Sequence, residues 1–228
     1  MSNQSRFDDE QMWDAFHKFH YLCDKHRFKK LFARADLVRM VADLPGDIVD
    51  AGAFKGVSTI QFAHLLETYQ PNSRSKVVCF DTFDAKFPRV RSDEKASADR
   101  HQTAYRADAF ETLVAALDRV GLSHRVEIVR GDIVKTLPKY AAKRPGWRVS
   151  LLHCDLDVFK PTLTTLKAAW PRVVCGGIVV FDEYAVDNWG ESDAVDRFFA
   201  GLKEPVRLKM LPASPTPTAY LVKPFFGA

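Results

Sequence analysis

The sequence predicts an α/β domain, a mostly parallel sheet with helices on both faces and an antiparallel hairpin at its C-terminus. Three observations carry this. Residues 149–153 and 178–181 are short apolar runs either side of segment 161–170, where Leu163, Leu166 and Trp170 recur at helical spacing. A crossover of that length makes the two strands parallel and right-handed, with their C-terminal ends side by side. Residues 45–51 form a short strand that passes through Gly52 and Gly56 into the apolar-periodic run 59–66. Residues 206–211 and 219–222 flank a turn rich in proline (Pro212, Pro215, Pro217), the pattern of a closing hairpin.

The elements follow in order. Aromatic and aliphatic residues at roughly helical spacing over 12–39 predict one or two amphipathic helices, either packed on the domain, lying over a pocket, or forming a subunit interface. The first strand is 45–51, and Ser58 is a candidate N-cap for the helix after it. Residues 76–80 are a second strand. The polar stretch 85–106 reads as a functional flap. Segment 108–120 has helical periodicity, 125–129 is a third strand, and 136–142 a short helix. Gly176 and Gly177 are expected to stop the helix at 161–170, and Ser192 to cap a last helix over 192–202. No repeat or linker divides the chain. Residues 1–44 form an N-terminal helical segment and 45–228 the sheet domain.

Composition excludes several classes. Hydrophobic residues at 46% and charged residues at 27% are ordinary for a soluble globular chain. The net charge, 33 − 29 = +4, is small and scattered among acids, which argues against nucleic acid. No apolar run reaches the roughly 18–20 residues of a membrane span. Cys23, Cys79, Cys154 and Cys175 show no metal spacing, and the last three fall in or beside apolar strands as buried thiols. A polar, mixed-charge N-terminus completes the expectation of a cytoplasmic protein.

The chemistry-bearing residues sit at strand ends. Asp155 and Asp157 follow one strand of the crossover, Asp182 and Glu183 the other. Acids brought that close repel unless a cation sits among them, and an all-oxygen cluster suits a hard ion such as Mg²⁺. Asp50, Gly52, Ala53, Phe54, Gly56 and Ser58 make a strand-to-helix glycine turn that lacks both the dinucleotide and P-loop patterns. Asp81, at the tip of the next strand beside Thr82, is placed to accept from a ribose diol or to sit solvated. Asp132 is either an acceptor for a base-sized group or a helix cap. His153 alternates with the strand core and reads as a buried structural histidine.

In order and spacing, residues 35–205 resemble the macrocin O-methyltransferase family of metal-dependent sugar methyltransferases, within the Rossmann-like class I S-adenosylmethionine-dependent enzymes. The family's acid-x-Gly-x-x-x-Gly-x-Ser loop corresponds to Asp50, Gly52, Gly56 and Ser58. Its F-D-[ST]-F strand end is Phe80 to Phe83, and its L-H-x-D-x-D-x-[YF] element is Leu152 to Phe159. Its P-R-x-x-x-G-G-x-[IV]-x-x-D-[DE]-Y run is Pro171 to Tyr184, with Glu183 where many relatives carry Asp. The trailing W-G-x-x-x-A-V-D-x-F is Trp189 to Phe198.

The resemblance implies a seven-stranded sheet and methyl transfer from S-adenosylmethionine to a hydroxyl of a sugar or glycosylated small molecule, with Mg²⁺. It makes Asp155, Asp182 and Glu183 metal ligands and Asp157 the general base. The cofactor site would be Asp50, Gly52, Ala53, Phe54, Gly56, Ser58, Asp81, Thr82, Asp132 and Asp155. In it the Asp50–Ser58 loop takes the methionine end, Asp81 the ribose, and Asp132 faces the adenine. The competing readings are a catechol-type enzyme on an aromatic diol, an oxidoreductase on a related sheet, and a non-catalytic binding protein. The partner is a small hydroxyl acceptor, and the aromatic N-terminal helices are compatible with a homo-oligomer.

Overall fold

The computed structural model describes residues 10–84, 86–102, 109–202, 205–212 and 214–225. Strands β1 (Asp47–Ala51), β2 (Val77–Asp81), β3 (Val126–Arg130), β4 (Val149–Cys154), β5 (Val173–Phe181), β6 (Lys209–Met210) and β7 (Ala219–Val222) form one sheet. Their order is β3-β2-β1-β4-β5-β7-β6. β1 to β5 run parallel, and β7 lies antiparallel to both β5 and β6. The chain winds outward from β1 through β2 to β3, then returns to β4 on the other side of β1. The crevice between the C-terminal ends of β1 and β4 is therefore the switch point where such sheets bind ligands.

The helices are α1 (Glu10–Leu22), α2 (Lys25–Met40), α3 (Val57–Tyr69), α4 (Lys95–Gln102), α5 (Ala109–Arg119), α6 (Ile133–Lys143), α7 (Phe159–Ala169) and α8 (Glu191–Ala200). Successive strand residues point to opposite faces, so each strand feeds two cores. Ile48, Leu151 and Ile178 pack with Leu37 of α2, Phe62 of α3 and Leu113 of α5. Val49, Leu152 and Val179 pack with Leu137 of α6, Leu166 of α7 and Val195 of α8. The same alternation directs the polar residues. Asp50 and His153 follow Ile48 and Leu151 by two positions, and Asp182 follows Val180, so all three turn toward the α2–α3 face.

Several local expectations change. Ser58 does not cap α3. That helix starts from Gly56 in the left-handed region, φ +80°, with no side-chain cap, and Ser58 donates to Asp50 instead. A Cβ at Gly56 would lie 2.5 Å from Leu113 Cδ1, so the turn needs glycine on both counts. Gly176 and Gly177 lie inside β5 rather than ending α7. The register to β4 slips there, from Val149↔Val173 to Leu151↔Ile178, with Gly176 at φ +78°, which is the geometry of a bulge. Ser192 lies inside α8, and its hydroxyl accepts the Ala185 amide. The flap region holds α4, with Ala85 and 103–106 of the expected 85–106 outside the described residues. All four cysteines are free; Cys79 and Cys154 are buried, whereas Cys175 beside the bulge is only half-buried. Among the described residues no helix is long and apolar enough to cross a membrane.

Candidate active site

A cavity of about 410 Å³ opens at the switch point. Its first end is built by the turns after β1, β2 and β3, and its wall includes Gly52, Phe54, Asp81, Thr82, Gly131 and Ile133. A Cβ at Gly52, φ +94°, would fall 1.7 Å from the carbonyl oxygen of Asp155, so only glycine lets the β1 turn lie against the end of β4. Asp81 holds this end together. Its Oδ2 accepts the Phe54 amide at 2.8 Å and its Oδ1 the Phe83 amide at 2.7 Å. Both amides belong to residues with positive φ, +53° and +55°, so the carboxylate stabilises two unfavourable backbone conformations. Burial pushes Asp81 above its ordinary value despite these bonds.

Other residues expected at the cofactor stand behind this wall. Asp50 is fully buried; Oδ2 accepts Ser58 Oγ at 2.8 Å and Thr59 Oγ1 at 2.6 Å, and Oδ1 lies 2.8 Å from His153 Nδ1. Asp50 and Ser58 thus clamp α3 to the sheet. Ala53 is packed in the α2–α3 core. Asp132 caps α6 through the Val134 amide at 3.0 Å and faces Arg89 at 3.6 Å, while its neighbours Gly131 and Ile133 reach the cavity. His153 is buried as the alternation predicts.

The second end carries the acids. Asp155, Asp157, Asp182 and Glu183 all line it, the first pair after β4 and the second after β5. Within the described residues the ligand atoms that meet inside 4.8 Å belong to His153, Asp155 and Asp182; Glu183 is on the wall outside that group. Lys30 of α2 reaches in, with Nζ 2.5 Å from Asp182 Oδ2 and 3.8 Å from Asp155 Oδ2. Burial works to raise Asp182, but His153 and Lys30 outweigh it and hold the carboxyl at about 2. Asp155 is pushed up to about 6 by burial and by Asp182, against the pull of Lys30. Burial, Asp182 and Asp155 take Glu183 to about 7.

Asp157 is strongly perturbed as well. Burial first, then Asp155, Glu183 and Asp182, push it well above the ordinary carboxylate range. Its φ is +60°, and the Val158 amide bonds back to the Leu156 carbonyl at 2.6 Å across it, a γ-turn of the strained kind. Among the described residues none donates a hydrogen bond to its carboxylate. The turn is held from the flap by Glu94, almost fully buried. Its Oε1 accepts the Phe159 amide at 2.6 Å, capping α7 in place of the unhelpful Val158, and its Oε2 accepts Arg91 N at 2.8 Å. Gly190 leaves room for that carboxylate, since a Cβ there would meet Glu94 Oε1 at 1.8 Å. Above the cavity, Phe87 and His101 line the roof and stack edge-on at 5.5 Å, with Trp189 5.7 Å from Phe87.

Lys30, Glu94 and the roof residues were not singled out from the sequence. For Lys30 a signal existed, because it shares the helical face of Ala33, Arg34, Leu37 and Val38, all buried. The acid set fits a hard divalent ion. The donors are carboxylates beside one imidazole, Asp182 Oδ1 is buried with only His153 Nε2 facing it at 3.5 Å, and an ammonium already stands in for positive charge between Asp155 and Asp182.

A parallel sheet in this order with an antiparallel edge, a glycine turn after β1 and acids at the tips of β2, β4 and β5 define the class I methyltransferase fold. The calicheamicin methyltransferase CalS11 shares it at a TM-score of 0.79 and 31% identity, over 92% of this chain and 85% of that one. The family model for macrocin-O-methyltransferase (TylF) matches residues 2–208, and the chain belongs to that family. Among curated relatives, a tetracenomycin 4'-O-methyltransferase of Streptomyces olivaceus is 28% identical over 72% of this chain and 62% of that protein. Mycinamicin III 3''-O-methyltransferase of Micromonospora griseorubida is 27% identical over 63% of this chain and 57% of that protein. The aligned part is thus less than two thirds of either curated relative.

Proposed function

We propose that this chain transfers a methyl group from S-adenosylmethionine to a hydroxyl of a sugar or glycosylated small molecule, with Mg²⁺ at the acidic end of the cavity. The observation that carries the reading is one cavity joining a glycine turn and Asp81 at one end to Asp155, Asp157, Asp182 and Glu183 at the other. Relatives' names agree on the acceptor class: one modifies a rhamnosyl-bearing tetracenomycin, and a solved structure at 29% identity is titled a TDP-rhamnose 3'-O-methyltransferase.

When bound, S-adenosylmethionine supplies an electrophilic methyl group on sulfur, and Mg²⁺ a Lewis acid that makes an acceptor hydroxyl more acidic. The chain does the rest. The Gly52–Phe54 turn receives the methionine end, and Asp81, with lone pairs left after its two amide bonds, accepts from the ribose. Gly131 and Ile133, rather than the carboxylate of Asp132, border the base. Asp155, Asp182 and Glu183 would hold the metal. Asp157 takes the hydroxyl proton as the oxygen attacks. Burial and the neighbouring acids raise its proton affinity, and a cation among them would offset part of that rise. Much of the rate comes from holding the two reactants in line.

The test is incubation with S-adenosylmethionine and either glycosylated acceptors or simple aromatic diols, read by mass spectrometry, with and without EDTA. Methylation of glycosides that EDTA stops and Mg²⁺ restores is the expected outcome. Methylation of the diols alone overturns the acceptor class, and EDTA-insensitive turnover removes the metal from the reading.

A further inference from the structure

We propose that Lys30 is a placeholder cation, so that a divalent metal enters this site by displacing an ammonium rather than by filling an empty cage. The inference rests on the metal reading of the acidic cluster above. Its own support is where the ammonium sits. Asp155 and Asp182 are the carboxylates of the cluster that meets within 4.8 Å, and their Oδ2 atoms are the ones Lys30 approaches. A divalent ion binds carboxylate oxygen at about 2.0–2.2 Å. With Nζ 2.5 Å from Asp182 Oδ2, an ion on that oxygen and the ammonium would be two cations repelling across one oxygen, so each weakens the other's hold.

The pairing also has the marks of a temporary one. Lys30 lies 3.8 Å from Asp155, beyond hydrogen-bond range, and Asp182 Oδ1 faces only His153 Nε2, at a loose 3.5 Å. A permanent buried ion pair is usually satisfied on its remaining lone pairs. Asp182 is 1% exposed, so without a metal its charge needs partners, and Lys30 provides one on the Oδ2 side while His153 faces Oδ1. The means of release are present as well. Ala33, Leu37 and Val38 fix the α2 backbone in the core, so exchange needs only the lysine side chain to move. Lys30 is itself on the cavity wall, and its flexible stem can swing the ammonium into the open space.

The experiment is a Mn²⁺ titration of the purified protein, with free Mn²⁺ read by electron paramagnetic resonance. Wild type is compared with Lys30→Met, Lys30→Gln and Lys30→Arg. Removing the competitor should tighten Mn²⁺ binding by at least about tenfold in the Met and Gln variants. Arg, which keeps the charge, should not tighten it. In EDTA the Met and Gln variants should melt below wild type, and Mn²⁺ should raise their Tm by more. Equal or weaker Mn²⁺ binding in whichever of the neutral variants folds overturns the placeholder while leaving the metal reading intact. No Mn²⁺ binding by any protein, wild type included, overturns both.

Discussion

At the β1–β2 end of the cavity every acid is occupied by the chain itself. Asp81 accepts two backbone amides, and Asp50 behind it accepts Ser58 and Thr59 and pairs with His153. At the β4–β5 end, Asp157 has no donor among the described residues, Asp182 Oδ1 has only His153 Nε2 at a loose 3.5 Å, and Lys30 is the ammonium that serves Asp182 and Asp155. Both ends are acidic and largely buried, yet they are wired differently. Acids tied to amides fix the shape of a turn. Acids left without donors keep their capacity for things that come and go, a proton or a cation.

The largest effect should come from removing the exchangeable proton site. Asp157→Asn should lower turnover by about 10²–10⁴-fold, the usual worth of a general base. Binding of S-adenosylhomocysteine, measured by calorimetry, should stay near wild type. Unchanged turnover would take the base role from Asp157. Next, Gly52→Ala puts a methyl group into the Asp155 carbonyl and should cost about 3 kcal/mol or more in urea unfolding, with loss of cofactor binding. A stable Gly52→Ala protein that still binds would show that the two ends are not packed together.

Asp81→Asn keeps one acceptor for the two amides. A loss of about 1–3 kcal/mol of stability and weaker S-adenosylhomocysteine binding are expected, with Mn²⁺ binding untouched, since the Asp155–Asp182 cluster lies at the other end. Weakened Mn²⁺ binding would blur the contrast.

The smallest effect concerns pH. Burial works to lower His153, but Asp182 and Asp50 outweigh it and raise it above 6.5. Its contribution to stability is therefore fully present below about 6.5 and lost as pH rises through the raised folded value. Burial works to raise Asp50, but His153 and Thr59 hold it below 3.8, so its contribution is present above 3.8 and lost as pH falls through the lower folded value. The Tm of metal-free protein should sag on both limbs. His153→Asn, which can still donate to Asp50 but cannot titrate, should lack the alkaline limb; an unchanged alkaline limb would assign it to another group.

The parallel core strands, their glycine turn and the acidic strand ends were legible because they depend on period and on local turn chemistry. Asp182 could be placed beside Asp155 from the crossover rule alone. The misreadings share a cause: partners distant in sequence. Ser58 looked like a cap, but the buried Asp50 eight residues earlier claims its hydroxyl. Gly176 and Gly177 looked like a helix stop, but pairing with β4 and β7 carries the strand through them. Lys30 and Glu94 lie far along the chain from Asp182 and Phe159; helical period turns Lys30 inward but does not name the acids it meets, and nothing local marks Glu94.

Glu94 has a practical consequence for anyone retailoring acceptor preference. The natural place to work is the aromatic roof, where Phe87 and His101 border the cavity. That roof stands on α4, and the carboxylate leading into α4 grips the first amide of the helix that follows Asp157. Reshaping the roof for a bulkier guest therefore tugs on the turn that carries Asp157. Selectivity and rate should drift together in such variants, unless the loop from Arg91 to Glu94 is left alone.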